Sequence, residues 1–183
     1  MNNIQESAIE TSIEHKFAKD LIRFVLHEHM TGLQWIPTGM FEQRDLDTPF
    51  TSQFECAIKE ELDYEGHKIH TMFDNFFPDK SLIDENYSEI CLKSLDKFVS
   101  MKFCMKDFVT FSSLIALFAG LSYHYGVALA PYASYLVLVE TVRELKKLEK
   151  IDNNFWKKLQ SWLENRKEPI RLWTSVVDSK KIR

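Results

Sequence analysis

Apolar residues recur every three or four positions along most of this chain, the spacing of helix faces turned toward a shared core. Ser7 and Glu10 form a capping box, and Ile9, Ile13, Phe17, Leu21 and Phe24 follow as a stripe that Val25 widens. This predicts an amphipathic first helix ending near Gly32. About residues 32–50 hold Pro, Gly and mixed charge, and the length of that stretch predicts a mobile loop. Helical spacing resumes over residues 51–77 with Phe54, Ile58, Leu62, Ile69, Met72, Phe73 and Phe76, and Pro78 stops it. Gly66 weakens the middle of this helix by about 1 kcal/mol relative to Ala. Residues 87–105 predict another helix, with Ile90, Leu95, Phe98 and Val99 as its apolar face.

The pattern then changes. Between Asp107 and Glu140 lie 32 residues in which His124 is the only ionisable side chain besides tyrosine. Residues 108–126 are apolar nearly all round, which predicts a buried or membrane-spanning helix. Nineteen residues rise about 28 Å, enough to cross a bilayer. Thr110, Ser112, Ser113, Ser122 and His124 make the segment a poor permanent span, and amphipathic helices on either side suffice to wrap it. A buried hairpin is therefore expected, with Pro131 opening its second helix over residues 132–150. Phe155, Trp156, Leu159, Trp162 and Leu163 mark a shorter helix, and Ile170, Leu172, Trp173, Val176 and Val177 another. The expected architecture is all-α: a single domain over residues 1–183 in which amphipathic helices surround a central apolar helical hairpin.

Composition narrows the class. Only five Gly and five Pro in 183 residues fit long helices rather than a turn-rich β fold. The net charge is −4 with the signs interspersed, so no basic nucleic-acid surface is expected. Cys56, Cys91 and Cys104 form no C-x-x-C pair and lie on helical patterns, which predicts free thiols and a reducing compartment. The first residues have neither a basic region nor an apolar run, so no secretory leader is expected.

The sequence carries no catalytic or metal motif. His67 and His70 share a helix face, but a di-iron bundle needs Glu three residues before His. Ser12, Phe24, Leu26, Tyr64, His67 and Leu121 occupy those places, so solvated or capping histidines are expected and no metal site. G-x-S-x-G, H-E-x-x-H and the phosphate-cradling glycine motifs do not occur. Ser112 and Ser113 lie inside the apolar helix, where a hydroxyl bonds back to the preceding turn. No enzyme and no cofactor are expected. An apolar helix wrapped by amphipathic ones suits a groove for a partner helix, a hairpin held back for membrane entry, or plain core packing.

The order of segments resembles the Bcl-2 family of apoptosis regulators over roughly residues 9–163. Phe17-Ala18-Lys19-Asp20-Leu21-Ile22-Arg23-Phe24-Val25 resembles the family's N-terminal (fourth) homology motif, followed by its long first loop. Leu62-Asp63-Tyr64-Glu65-Gly66-His67-Lys68-Ile69 resembles the death motif at Leu62, Gly66 and Ile69, with His67 in place of the usual Asp and Glu65 where an apolar residue is usual. Thr110-Phe111-Ser112-Ser113-Leu114-Ile115-Ala116 resembles the first homology motif, and Asn153-Asn154-Phe155-Trp156-Lys157-Lys158-Leu159 the second.

The resemblance implies a Bcl-2-like bundle whose groove binds amphipathic death-motif helices of pro-apoptotic family members. Ile69, Met72, Phe73 and Phe76 would line one wall. Val109, Ser112, Ile115 and Ala116 would form the floor and the other wall, with Ser113 where the family places an arginine that pairs with the ligand's Asp. Contacts to such a ligand are accordingly expected to be mostly apolar. The resemblance further implies a cytoplasmic protein, at the mitochondrial outer membrane or the endoplasmic reticulum. Survival-promoting activity is favoured because the internal death motif is degenerate. A membrane-permeabilising killer is the alternative within the family, and a helical pore protein needing no peptide ligand is the alternative outside it.

Overall fold

The computed structural model describes residues 12–81 and 84–166. The capping box at Ser7 and the helical pattern at residues 170–177 lie outside the described residues. Six α-helices occur among those described: α1 (Ile13–Arg23), α2 (Ser52–Phe76), α3 (Asp84–Ser100), α4 (Met105–His124), α5 (Ala130–Lys147) and α6 (Phe155–Asn165). No strand occurs among the described residues. The all-α bundle around a central apolar helix is thus the observed fold.

The central helix is α4, in which every residue from Phe108 to Ser122 is buried. Cys104 caps its start, its Sγ accepting from Asp107 N at 3.4 Å. Helix α5 runs back beside it, with Pro131 in the first turn where the missing N–H has no helical partner to lose. Helices α1, α3 and α4 all pack on α5, while α2 packs on α4 and α6 on α2. Thr51 joins two of these helices. Its Oγ1 accepts from Phe54 N to cap α2 and donates to Gln160 Oε1 of α6 at 2.6 Å.

Aromatic rings weld the helices together. Phe17 of α1 is fully buried, with ring centroids of Phe54, Phe108 and Trp156 at 5.1, 5.7 and 4.8 Å. These come from α2, α4 and α6, so one side chain couples four helices. Polar groups inside the bundle are mostly paired: Tyr87 Oη and Ser134 Oγ lie 2.5 Å apart between α3 and α5. His15 of α1 bonds the Tyr135 hydroxyl and accepts from Arg143 at 2.9 Å, both on α5.

Three features depart from the sequence expectation. Ile13, the second residue of the predicted apolar stripe, is 40% exposed, whereas Phe17 and Leu21 further along it are fully buried. Beyond Arg23 the helix widens into a π-helical segment, Phe24–His29, closed by Met30 N to Val25 O at 2.8 Å. The expected mobile loop carries anchors. Trp35 and Phe41 are buried and meet edge to face at 5.6 Å, and Phe41 reaches Tyr135. Lys16 and Lys19 of α1 pair with Asp47 and Asp45 at 2.7 and 2.6 Å. Between these anchors Ile36 and Leu46 stand in solvent. Brief digestion with a non-specific protease is expected to cut first beside Leu46, and Trp35→Ala should speed cutting about threefold or more, since it releases one anchor. Mass spectrometry of the first fragments reads both outcomes, and first cuts inside α2 or α5 would contradict them.

Candidate functional site

Helices α2, α3 and α4 diverge around a surface groove of about 330 Å³. Met72 and Phe76 enter it from the last turns of α2, where Phe77 and the Pro78 turn end the helix and free α3 to splay away. Leu114, Ile115 and Phe118 of α4 give the floor. The far wall belongs to α3, whose Ile90, Ser94 and Lys97 follow one another at helical spacing, with Cys91 and Lys93 beside them.

Of the residues expected to form a groove, the structure brings Met72, Phe76 and Ile115 together here. Ile69, Phe73, Val109, Ser112, Ser113 and Ala116 line no part of this groove and are buried between helices. The physical reason is helix rotation. Those side chains lie on the faces by which α2 and α4 clasp the bundle, as Phe73 does on Phe118 at 5.3 Å. Ser113 is fully buried and its Oγ donates to Val109 O at 3.0 Å, while Ser112 Oγ donates to Phe108 O at 2.7 Å. Both hydroxyls bond back to the preceding turn as expected, and neither is offered to a ligand.

The missed wall carries the charge. Lys93 and Lys97 stand one turn apart on α3 at the border of the groove. Lys93 is paired with Glu89 at 2.7 Å, whereas Lys97 makes no ion pair with any described residue. The helical spacing of Ile90, Ser94 and Lys97 was visible in the sequence, but not that this face of α3 would meet Met72 and Ile115. Burial pushes the Cys91 thiol up to about 12, so it is a protonated apolar wall element and not a nucleophile. All three cysteines are free, as expected. No group of three His, Cys, Asp or Glu among the described residues is placed to hold a metal ion.

A second polar anomaly lies between α2 and α4. Glu61 and Glu65 are buried on one face of α2, although charges at helical spacing usually mark a solvated face. By strict geometry neither Glu61 carboxyl oxygen nor Thr110 Oγ1 has a hydrogen-bond partner, although the Thr110 hydroxyl lies near enough to Glu61 to favour its charged form. Burial pushes the Glu61 carboxyl up to about 7, the nearby Glu65 adds to the rise, and Thr110, Lys106 and Arg166 oppose it. Glu65 has the Lys68 ammonium at 2.6 Å.

Helix α4 is also long and apolar enough to cross a membrane, with a mean hydropathy of 1.3 over its most apolar window, and 83% of that window is buried in the bundle. No family model, curated protein or solved structure matches the chain.

Proposed function

We propose that the groove between α2, α3 and α4 receives an amphipathic helix of a partner protein, and that the chain is a Bcl-2-like regulator of apoptosis that favours survival. The observation that carries this reading is the pairing of an apolar cleft with a basic border. Met72, Phe76, Ile115 and Phe118 suit the apolar face of a helix, and Lys93 and Lys97 suit acidic residues flanking that face. The four motif resemblances, in family order along the chain, support the assignment to apoptosis and to death-motif helices as partners. They also support a cytoplasmic location at the mitochondrial outer membrane or endoplasmic reticulum.

Calorimetric titration with synthetic amphipathic death-motif peptides tests the reading. Binding should be saturable, and Phe76→Asp at the half-buried groove margin should weaken it about tenfold or more, a cost near 1.4 kcal/mol. Lys97→Glu should weaken acidic peptides by about fivefold and leave peptides with neutral flanks unchanged, since an exposed ion pair contributes roughly 0–1 kcal/mol. Absence of saturable binding, together with no effect of the chain in a cell-death assay, would reject the proposal. The second reading, membrane insertion of the α4–α5 hairpin, rests on the length and apolar character of α4. Dye leakage from liposomes without any peptide would favour it.

A further inference from the structure

The loop after α1 and the first half of α5 meet as two uncharged segments. Residues 31–41 carry no charged side chain, and residues 108–139 carry none apart from His124. Ring contacts join the two: Trp35 meets Phe41 at 5.6 Å, Phe41 meets Tyr135 at 6.1 Å, and Tyr135 stacks on Tyr132 at 5.8 Å. The loop is thereby seated against α5. Beside these rings the apolar side chains are uncovered. Leu129, Tyr132 and Leu136 follow at the spacing of one helix face and are 57%, 48% and 43% exposed. Ile36, next to the anchored Trp35, is 76% exposed. Glu140 and Arg143, an ion pair at 3.8 Å, end the stripe toward the C-terminus of α5.

Area and charge restrict what covers this face. The four side chains expose roughly 400 Å² in all, the size of a functional apolar patch. A stable protein interface buries about 800 Å² on each partner, twice what is offered here. A lipid bilayer sets no such minimum and excludes charge from its interior. Tyrosine suits its boundary, with the ring against acyl chains and the hydroxyl among headgroups. We propose that this face docks on the surface of a lipid bilayer, with Ile36, Leu129, Tyr132 and Leu136 immersed at the headgroup boundary and the bundle intact. Tyr135 already fixes the Tyr132 ring, and Trp35 and Phe41 fix the loop, so docking has little left to order. Helix α4 stays buried, which separates this docking from insertion of the hairpin. The proposal rests on the membrane location proposed above and supplies its surface. It shares no residue with the groove, so either reading can fail alone.

Flotation of the full chain with phosphatidylcholine vesicles, without any peptide, tests the proposal. Saturable co-flotation is expected, unchanged between about 0.1 and 0.5 M salt because the face is uncharged. Ile36→Glu and Leu136→Glu should each weaken it about fivefold or more. Leu92→Glu, at an apolar residue of α3 that is 52% exposed away from this face, should leave it unchanged. Amide exchange in α4 should stay slow on the vesicles, and trapped dye should stay inside them. Absence of flotation overturns the proposal. So does binding that vanishes in the higher salt, or that Leu92→Glu weakens equally. Dye leakage with loss of α4 protection overturns it in favour of insertion. A dimer in solution that Ile36→Glu dissociates, without vesicle binding, overturns it in favour of a second copy on this face. Far-UV circular dichroism establishes that the variants are folded, and should one unfold, the other decides. Peptide calorimetry in lipid-free solution reads the groove separately.

Discussion

Replacing Glu61 by Gln should raise stability at pH 8 by roughly 2–3 kcal/mol and remove most of the pH dependence that this residue imposes between pH 5 and 7. The carboxyl is buried between α2 and α4, with neither oxygen hydrogen-bonded, and its folded pKa rises from 4.5 to about 7. Below pH 4.5 the folded and unfolded chains both carry the proton, and the residue confers no pH dependence. From there to about pH 7 the folded chain keeps a proton that the unfolded chain releases, so stability falls as the pH rises. Above that both forms are ionised and the whole penalty stands. At about 1.36 kcal/mol per pH unit the interval corresponds to roughly 3 kcal/mol, and the unpaired amide of Gln returns part of it. Asp20, raised chiefly by its own burial, contributes in the same direction in both chains, so the difference between them isolates Glu61. Urea midpoints of both chains at pH 5, 6, 7 and 8 provide the comparison. Parallel curves would mean that water or a rearranged Lys106 satisfies the carboxylate.

Phe17→Ala should cost about 4 kcal/mol, within the range of roughly 3–5 for deleting a buried phenylalanine. The void would sit among Phe54, Phe108 and Trp156, rings held by α2, α4 and α6, so no single helix can close it without leaving the others. Phe24→Ala removes a half-buried ring that touches Phe50 at 5.6 Å and should cost clearly less. Chemical denaturation of the two variants side by side measures this. A cost below about 2 kcal/mol at position 17 would show that the bundle collapses into the space, and that its helices are less rigidly coupled than the ring contacts imply.

Much of the fold was legible because helix periodicity and proline are local signals. Residues 51–77 enclose α2 as observed, Pro78 follows its end, Pro131 opens α5, and the uncharged run after Asp107 is the buried helix. The parts that were not legible depend on partners distant in the chain. Trp35 and Phe41 looked like loop residues because Tyr135, which Phe41 meets, comes ninety-four positions later. The burial of Glu61 and Glu65 was not legible either, because it depends on the seating of α4 against their face of α2. At the groove, Met72, Phe76 and Ile115 were found, whereas the α3 wall with Lys93 and Lys97 was missed. Periodicity fixes which residues of a helix share a face, and not which neighbour that face will meet.

The π-helical segment has a consequence for descent with insertion and deletion. A π turn holds one more residue than an α turn of similar rise, so losing a single residue between Phe24 and His29 would let the segment relax into ordinary α-helix. Everything beyond it would then keep nearly the same phase relative to α1, because the wider turn completes the same revolution with one residue more. Met30 would stay at Gly120, against which its side chain packs so closely that a Cβ there would collide with it. A homologue one residue shorter at this point would keep all six helices and their packing, so the segment is a place where the chain tolerates the gain or loss of one residue.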